Sequence, residues 1–291
     1  AWNNSGGSSG SFIANSGTVT FDGESAQTIT SGNATFYNAT ISNTSGAVSL
    51  GDKFDLNSSG TLTINASAIF ALAGYEFDDN AGSITNNGTF QMNGDETLTT
   101  GSLSIPGNTK FVDASGATLT TGLAGLVNVE FNSSSGSSQT FVLSENLTYV
   151  SGNITIASGT VLDASGSNYN IDLDGNWSNS GTFTQRTGTV TFSGSSAQSI
   201  SGTNTFYNLT INNSHGSSKV SADGSTLTVQ NDLLISDGIF ESASDYHDVT
   251  INAGTTLELT GNITVSGTWI NNGTLTPSTN KVTFDGSSAQ T

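Results

Sequence analysis

Cysteine is absent from this chain, which removes both a disulfide framework and thiolate metal sites from consideration. Proline occurs twice, so no stretch reads as an inter-domain boundary. Cations are nearly as scarce, with five Lys and Arg against 23 Asp and Glu and a formal charge of −18. A surface of that sign repels phosphate backbones and anionic headgroups, so nucleic acid and membrane insertion are excluded as modes of action. No window approaches the roughly 18 consecutive apolar residues of a membrane-spanning helix. Charged residues make up only 10% of the chain beside 33% hydrophobic, whereas disordered chains pair low hydrophobicity with many charges, so a folded protein is expected. The first residue is Ala1 and no basic-then-apolar leader precedes it, which fits a processed or excerpted exported chain.

What the chain has in abundance is repetition. One unit opens on W-x-N-x-G-T, seen as WSNSGTF from Trp177 and WINNGTL from Trp269, with a looser ITNNGTF from Ile84 and a diverged WNNSGGS from Trp2. Its middle is GTVTFDGESAQT from Gly17, GTVTFSGSSAQS from Gly188 and NKVTFDGSSAQT from Asn280. It closes on FYNATISN from Phe36, LVNVEFNS from Leu126 and FYNLTINN from Phe206. Aligned, these give a super-repeat of about 80–93 residues, with units over 2–83, 84–176, 177–268 and a truncated 269–291 within one continuous array over 1–291.

A finer grain of apolar-x-apolar triplets runs beneath the super-repeat, including Val19/Phe21, Leu62/Ile64, Ile154/Ile156, Val190/Phe192, Leu257/Leu259 and Val282/Phe284. Period-two alternation between Gly, Asn and Ser clusters predicts short strands. Ala66 to Ala73 is the best helix candidate, but it is short and ends at Gly74, so a buried strand or corner is predicted there. In the closing strands Tyr37/Ala39/Ile41, Val127/Val129/Phe131 and Tyr207/Leu209/Ile211 are predicted to face the core, because a one-residue slip would bury Glu130 and three Asn. Strands this short, one every ~7–12 positions with no linker, predict an all-β parallel β-helix (β-solenoid) of roughly 12 rungs of about 20–25 residues. The alternative is a string of immunoglobulin-like β-sandwiches.

The N-N-G-T-F, G-T-V-T-F-x-G-x-S-A-Q and F-Y-N-L-T-I-N-N phrases resemble those of large repeat-rich microbial surface proteins. The texture of the whole chain is similar to filamentous-haemagglutinin and autotransporter-passenger β-helices. The resemblance implies a right-handed parallel β-helix, a secreted or cell-surface location, and a role in adhesion or filament building.

Chemistry is sparsely signalled. A polysaccharide lyase or hydrolase on a β-helix needs opposed carboxylates, or a carboxylate-metal site backed by a base, and the five cations are far apart in sequence. Asp172 and Asp174 share one strand face and could hold Ca²⁺ if a neighbouring rung added oxygens, although a solvated outward face explains them as well. His247 sits in an irregular DYHD stretch, Asp245 to Asp248, with no second His beside it, and reads as a surface loop rather than a metal ligand or base; His215 lies in the turn NNSHGSS. Asp78/Asp79 and Asp95/Glu96 read as solvated turn residues. No EF-hand, G-x-S-x-G or P-loop pattern occurs, so no catalytic residue, cofactor site or metal is assigned. The recurring Ser-Ala-Gln reads as structural, a side-chain ladder or a turn bonded to its own backbone. Trp177 and Trp269 could stack on sugars, but core packing suits so large a ring better. Sequons at Asn33, Asn38, Asn57, Asn65, Asn146, Asn153, Asn208 and Asn262 are candidate N-glycosylation sites in an exported protein.

The function expected is therefore structural and not enzymatic: a subunit or segment of an extracellular filament, stalk or surface adhesin, partnered by copies of itself or by adjoining repeats stacked head to tail. A glycan-binding adhesin module is the second reading and the polysaccharide-active enzyme the third. The final repeat breaks off after S-A-Q, where earlier copies continue, so the array is expected to go on beyond Thr291.

Overall fold

The computed structural model describes residues 1–4, 12–98, 103–112, 118–119, 123–133, 138–214, 216–288 and 290. The chain is all-β, a parallel β-solenoid of about 12 turns, with no helix among the described residues. It forms two compact units, Ala1–Phe141 and Val142–Thr291.

In the first unit the GTVTF strand Thr18–Phe21 pairs in parallel with the FYN strand Thr35–Ile41, and that with Phe54–Ile64. The partners Thr18, Asn38, Thr61 and Ser83 set turns of 20, 23 and 22 residues, within the expected rung length. On another face Gln27–Thr30 pairs with Val48–Leu50, and Ile69–Ala71 with Thr89–Met92. The ASAIFALA stretch is thus a buried strand and corner, with Ala68, Phe70, Ala71 and Leu72 all inside. Corners turn at residues such as Asn33 and Ser67, with φ of 65° and 64°. Parallel in-register stacking puts like side chain over like, and the core shows it. Phe36 lies flat on Phe54 at 4.7 Å between ring centroids, Phe54 on Phe77 at 5.7 Å, and Phe111 on Phe131 at 5.2 Å.

The second unit repeats the plan. Thr189–Phe192 pairs with Asn208–Asn212, that strand with Thr226–Asp237, and Thr226–Asp237 in turn with Asp245–Ile251. Trp177–Asn179 sits between Ile154–Ile156 and the start of Gln198–Phe206. Trp177 is fully buried, edge-on to Phe183 and Phe206 at 5.0 and 5.5 Å.

The closing strands differ from expectation at one position each. Ala39, Ile41, Val129, Phe131, Leu209 and Ile211 are buried, but Tyr37, Val127 and Tyr207 are only half-buried, and their neighbours Phe36, Leu126 and Phe206 point in instead. At Tyr37 the reason is a register shift between Phe36 and Asn38, where the partner strand advances from Leu56 to Thr61, and Tyr207 lies at a similar break, with Phe206 opposite Val229 but Leu209 opposite Leu233. Extra partner residues break the strict alternation and leave two consecutive residues on the outer side. Gly60 lies at this irregularity, where a Cβ would stand 1.7 Å from the Tyr37 carbonyl oxygen. Glu130 stays outward, 3.2 Å from Lys110 directly across the ladder.

The N-x-G-T phrase has a single geometry in all three good copies. Asn86, Asn179 and Asn271 accept a hydrogen bond through Oδ1 from the backbone N–H of Gly88, Gly181 and Gly273 at 3.0–3.1 Å, closing an Asx turn. Each Gly then passes under the preceding turn so closely that a Cβ would lie 2.3 Å from a carbonyl oxygen, that of Ala68, Thr160 or Asn252. The glycine is required by this approach to backbone rather than by its φ. Gly181→Ala is expected to cost about 1–3 kcal/mol of unfolding free energy through forced overpacking. Gly166→Ala, at a position with nothing within 4 Å of the added Cβ, should be near neutral. Denaturant titration of the two variants checks this, and equal stabilities would contradict it.

Candidate functional site

The residues that recur most faithfully are the natural first candidates for a site. The glutamine of S-A-Q folds back so that its Oε1 accepts from the backbone N–H four residues earlier: Gly23 for Gln27 at 3.0 Å, Gly194 for Gln198 at 3.3 Å, Gly286 for Gln290 at 3.0 Å. Its Nε2 donates down to the previous turn, from Gln198 to the carbonyls of Leu173 and Gly175 and from Gln290 to those of Val265 and Gly267. The last Asn of the closing strand then locks the corner from the turn above. Asn43 donates to the Ser25 carbonyl at 2.6 Å and Gln27 Oε1 at 3.1 Å, and Asn213 to the Ser196 carbonyl at 2.7 Å and Gln198 Oε1 at 2.8 Å. Gln198 and Asn213 are buried, so these bonds replace water and leave the amides satisfied.

The Trp motif is tied in the same manner. Trp177 Nε1 donates to Asn204 Oδ1 at 2.7 Å, Asn179 Nδ2 donates to the same oxygen at 3.2 Å, and Asn204 Nδ2 donates to the Ser201 carbonyl. The indole presents no face to solvent, which overturns Trp177 as a sugar-stacking residue. Trp269 is half-buried, edge-on to Phe284 at 5.9 Å.

Charge is organised along columns. Asp55 pairs with Asp78 and Glu241 with Glu258 on successive turns, a stacking that sets like charges about 5 Å apart. Each pair is met by one lysine. Lys53 Nζ lies 2.9 Å from Asp55, 3.1 Å from Glu76 and 3.6 Å from Asp78; Lys219 Nζ lies 3.0 Å from Glu241 and 2.5 Å from Glu258. The ammonium of Lys53 is raised well above its ordinary pKa by hydrogen bonds to Asp55 and Glu76, and that of Lys219 by Glu258 and Glu241. Glu241 is held below the usual carboxylate range by the Ser221 hydroxyl and by Lys219. Arg186 grips Asp163 with two bonds, at 2.8 and 2.6 Å, and lowers its pKa. The cations that were far apart in sequence thus each stand beside carboxylates one turn away, Lys281 excepted.

Of the acidic turn residues expected to be solvated, Asp95 is exposed and the other three are not. Asp78 and Asp79 are buried, their Oδ1 atoms closing Asx turns onto the N–H groups of Asn80 and Ala81. Glu96 is 2% exposed and accepts from the backbone N–H groups of Asn93, Gly94 and Gly74 at 2.6, 2.7 and 3.2 Å. Burial pushes its carboxyl above the usual range against the pull of those donors. It braces two turns rather than facing a substrate.

Asp172 and Asp174 do come together, both accepting from the Ser193 hydroxyl of the next turn, with Thr191 beside Asp172. The adjoining turn adds hydroxyls and no third carboxylate. Among the described residues no group of three or more His, Cys, Asp or Glu is placed to hold a metal. The DYHD stretch is no loop but the start of the strand Asp245–Ile251. Tyr246 points inward, its hydroxyl donating to Ser242 at 2.8 Å, and burial pushes the phenol to about 12. His247 projects outward with Nδ1 3.3 Å from Asp248, and His215 lies outside the described residues.

The sequons fall into three groups. Asn38 and Asn208 lie in the outer ladder with engaged amides: Asn38 accepts from the Thr61 N–H, and Asn208 accepts from the Asn231 amide. Asn146, Asn153 and Asn262 are exposed, and each Oδ1 takes a backbone N–H of the next turn, from Asn170, Asn176 and Lys281. Asn57 closes its own turn onto the Ser59 N–H, Asn65 donates to Ser42, and Asn33 stands exposed at a corner. A shallow groove beside Asn208 is lined by Thr189, Thr210, Asp232, Leu234 and Thr250.

No protein-family model matches the sequence, and no curated protein or solved structure matches it.

Replacing Lys219 by Met leaves Glu241 and Glu258 stacked without a counterion. Glu241, whose folded pKa is depressed, contributes stability above the ordinary carboxylate pKa and loses it as pH falls through the depressed value. Lys219→Met is therefore expected to lower the melting temperature at neutral pH, with the deficit shrinking toward zero once both carboxylates are protonated. Melting curves from acid to neutral pH check this; a deficit independent of pH would contradict it.

Proposed function

We propose that this chain is a structural segment of an extracellular filament, stalk or surface adhesin, built for stiffness rather than for catalysis. The observation that carries the reading is that the recurring residues join one turn to the next. Besides closing turns of their own, they reach across: Asn86 and Asn179 of N-x-G-T donate to the Asn108 and Thr203 carbonyls of the next turn, the Gly packs on the preceding turn, the Gln of S-A-Q donates to the previous turn, and the last Asn of the closing strand donates to the corner below. A site that serves a ligand turns its repeated groups outward, whereas these are turned along the solenoid axis. The likeness to filamentous-haemagglutinin and autotransporter-passenger sequences supports the same reading, as does the charge of −18, which keeps neighbouring surfaces apart except along the stacking direction.

Partners under this reading are copies of the chain or further repeats of the same polypeptide. Each turn offers its neighbour a row of backbone donors and acceptors in register, and the same contact between separate stretches is heterologous and open-ended, the symmetry of a filament. Sugars on exposed sequons such as Asn33, Asn146 and Asn262 would project outward from such a fibre without crossing its axis. The glycan-binding reading loses its better aromatic with Trp177 buried.

Electron microscopy of natively isolated material tests the proposal. The expected outcome is regular fibres or stalks with an axial repeat of about 4.8 Å by fibre diffraction. Isolated short particles with no continuing chain and no axial neighbour would overturn it.

A further inference from the structure

The outer face of the first unit carries a two-column lattice that the scaffold reading leaves unused. One column is Thr18, Asn38, Thr61 and Ser83, and the other, two residues along each strand, is Thr20, Thr40, Thr63 and Thr85. Adjacent strands stand about 4.8 Å apart and residues two apart along a strand about 6.6–6.8 Å, so the eight side chains form a regular net. Beneath them Ala39, Leu62, Ile41 and Ile64 are buried, which fixes the register of the net from below.

We propose that this net is an ice-binding face, whose occupant is the ordered water lattice of a growing ice crystal. None of the eight positions is charged in a chain of net charge −18, and none is aromatic. A charged group would keep its own hydration shell, and sugar-ring binding calls for an aromatic platform. A neutral array of hydroxyls and methyls instead matches a neutral, periodic ligand that both donates and accepts hydrogen bonds. Among the described residues the hydroxyls of Thr20, Thr40, Thr63 and Thr85 meet no hydrogen-bond partner, which leaves them to join such a lattice. The first column is held in place by bonds within itself: Asn38 Oδ1 takes the Thr61 N–H at 3.0 Å, and the Thr61 and Ser83 hydroxyls meet at 2.8 Å. β-Branching leaves each threonine few rotamers, so little freedom is lost on contact with a solid.

The second unit contains its own control. There the same register begins as Thr189/Thr191 and Asn208/Thr210 but continues through Leu234 and the paired carboxylates Asp232 and Asp248. The inference is confined to the first unit for that reason, and it does not depend on whether the chain builds a filament.

Slow freezing of a stirred dilute solution, with protein assayed in ice and liquid, tests it. The unaltered chain is expected to enter the ice. The pair Thr40→Lys/Thr63→Lys should stay in the liquid, and so should Thr20→Lys/Thr85→Lys, a pair at more exposed positions that spares the fold. Thr191→Lys/Thr210→Lys should still enter, with melting curves showing every variant folded. Exclusion of the unaltered chain from ice would overturn the proposal, even if it were retained on a neutral polysaccharide such as chitin. Entry of the first-unit variants, or equal loss in all three pairs, would overturn it as well.

Discussion

Parallel in-register stacking is the constraint on which every other feature of this molecule depends. Once each turn lies directly on the last, a side chain meets its counterparts above and below at the strand spacing, so a residue is acceptable only if it tolerates a column of its own kind. Phenylalanine does, as the flat stack of Phe36, Phe54 and Phe77 shows. Threonine does, because its β-branched side chain suits a pleated, half-buried surface. Asparagine and glutamine do better still, because one amide both accepts and donates and can pass a hydrogen bond from turn to turn.

Charge is what the column tolerates least. Asp55 over Asp78 and Glu241 over Glu258 would repel, and each of these two pairs stands where one of the few lysines reaches it, whereas Asp232 over Asp248 has, among the basic groups of the described residues, only His247 beside Asp248. The low cation count therefore does not mean idle cations: Lys53, Lys110, Arg186 and Lys219 each neutralise a carboxylate on the same face. Buried acids also draw on backbone N–H groups. Glu96 gathers three N–H groups, and Asp78 and Asp79 each close a turn. Corners, where the ladder is interrupted, are repaired by side chains of the adjoining turn, which is why the recurring phrases lie at corners as often as in strands.

Much of this was readable from residues alone. The alternating triplets placed the strands, the spacing of those strands set the rung length, and the Ala66 to Ala73 segment, too short for a helix and ended by Gly74, proved a buried strand and corner. Two things were not readable. Tyr37 and Tyr207 were expected inside because strict alternation puts them there, and a register shift at each, where the partner strand carries extra residues, reverses that choice while leaving the rest of the strand unchanged. The DYHD stretch looked irregular because its alternation is carried by a tyrosine whose hydroxyl needs the buried Ser242, a partner invisible at a distance of four residues in sequence. Asn204, Asn43 and Asn213 carried a signal only in relation to a partner one turn away, as did Lys219 with Glu241 and Glu258. Turn length must be known to the residue before such pairs can be matched, and it varies here from turn to turn.

The central claim is that the recurring side chains act as bonds between turns, and the most direct measurement is a double-mutant cycle on Gln198 and Asn213, buried and joined at 2.8 Å. Unfolding free energies of Gln198→Ala, Asn213→Ala and the double variant give the coupling. The account predicts that the double variant is less destabilised than the sum of the singles by about 1 kcal/mol or more, because each single change strands a buried amide that the other change removes. Simple additivity of the two losses would contradict it.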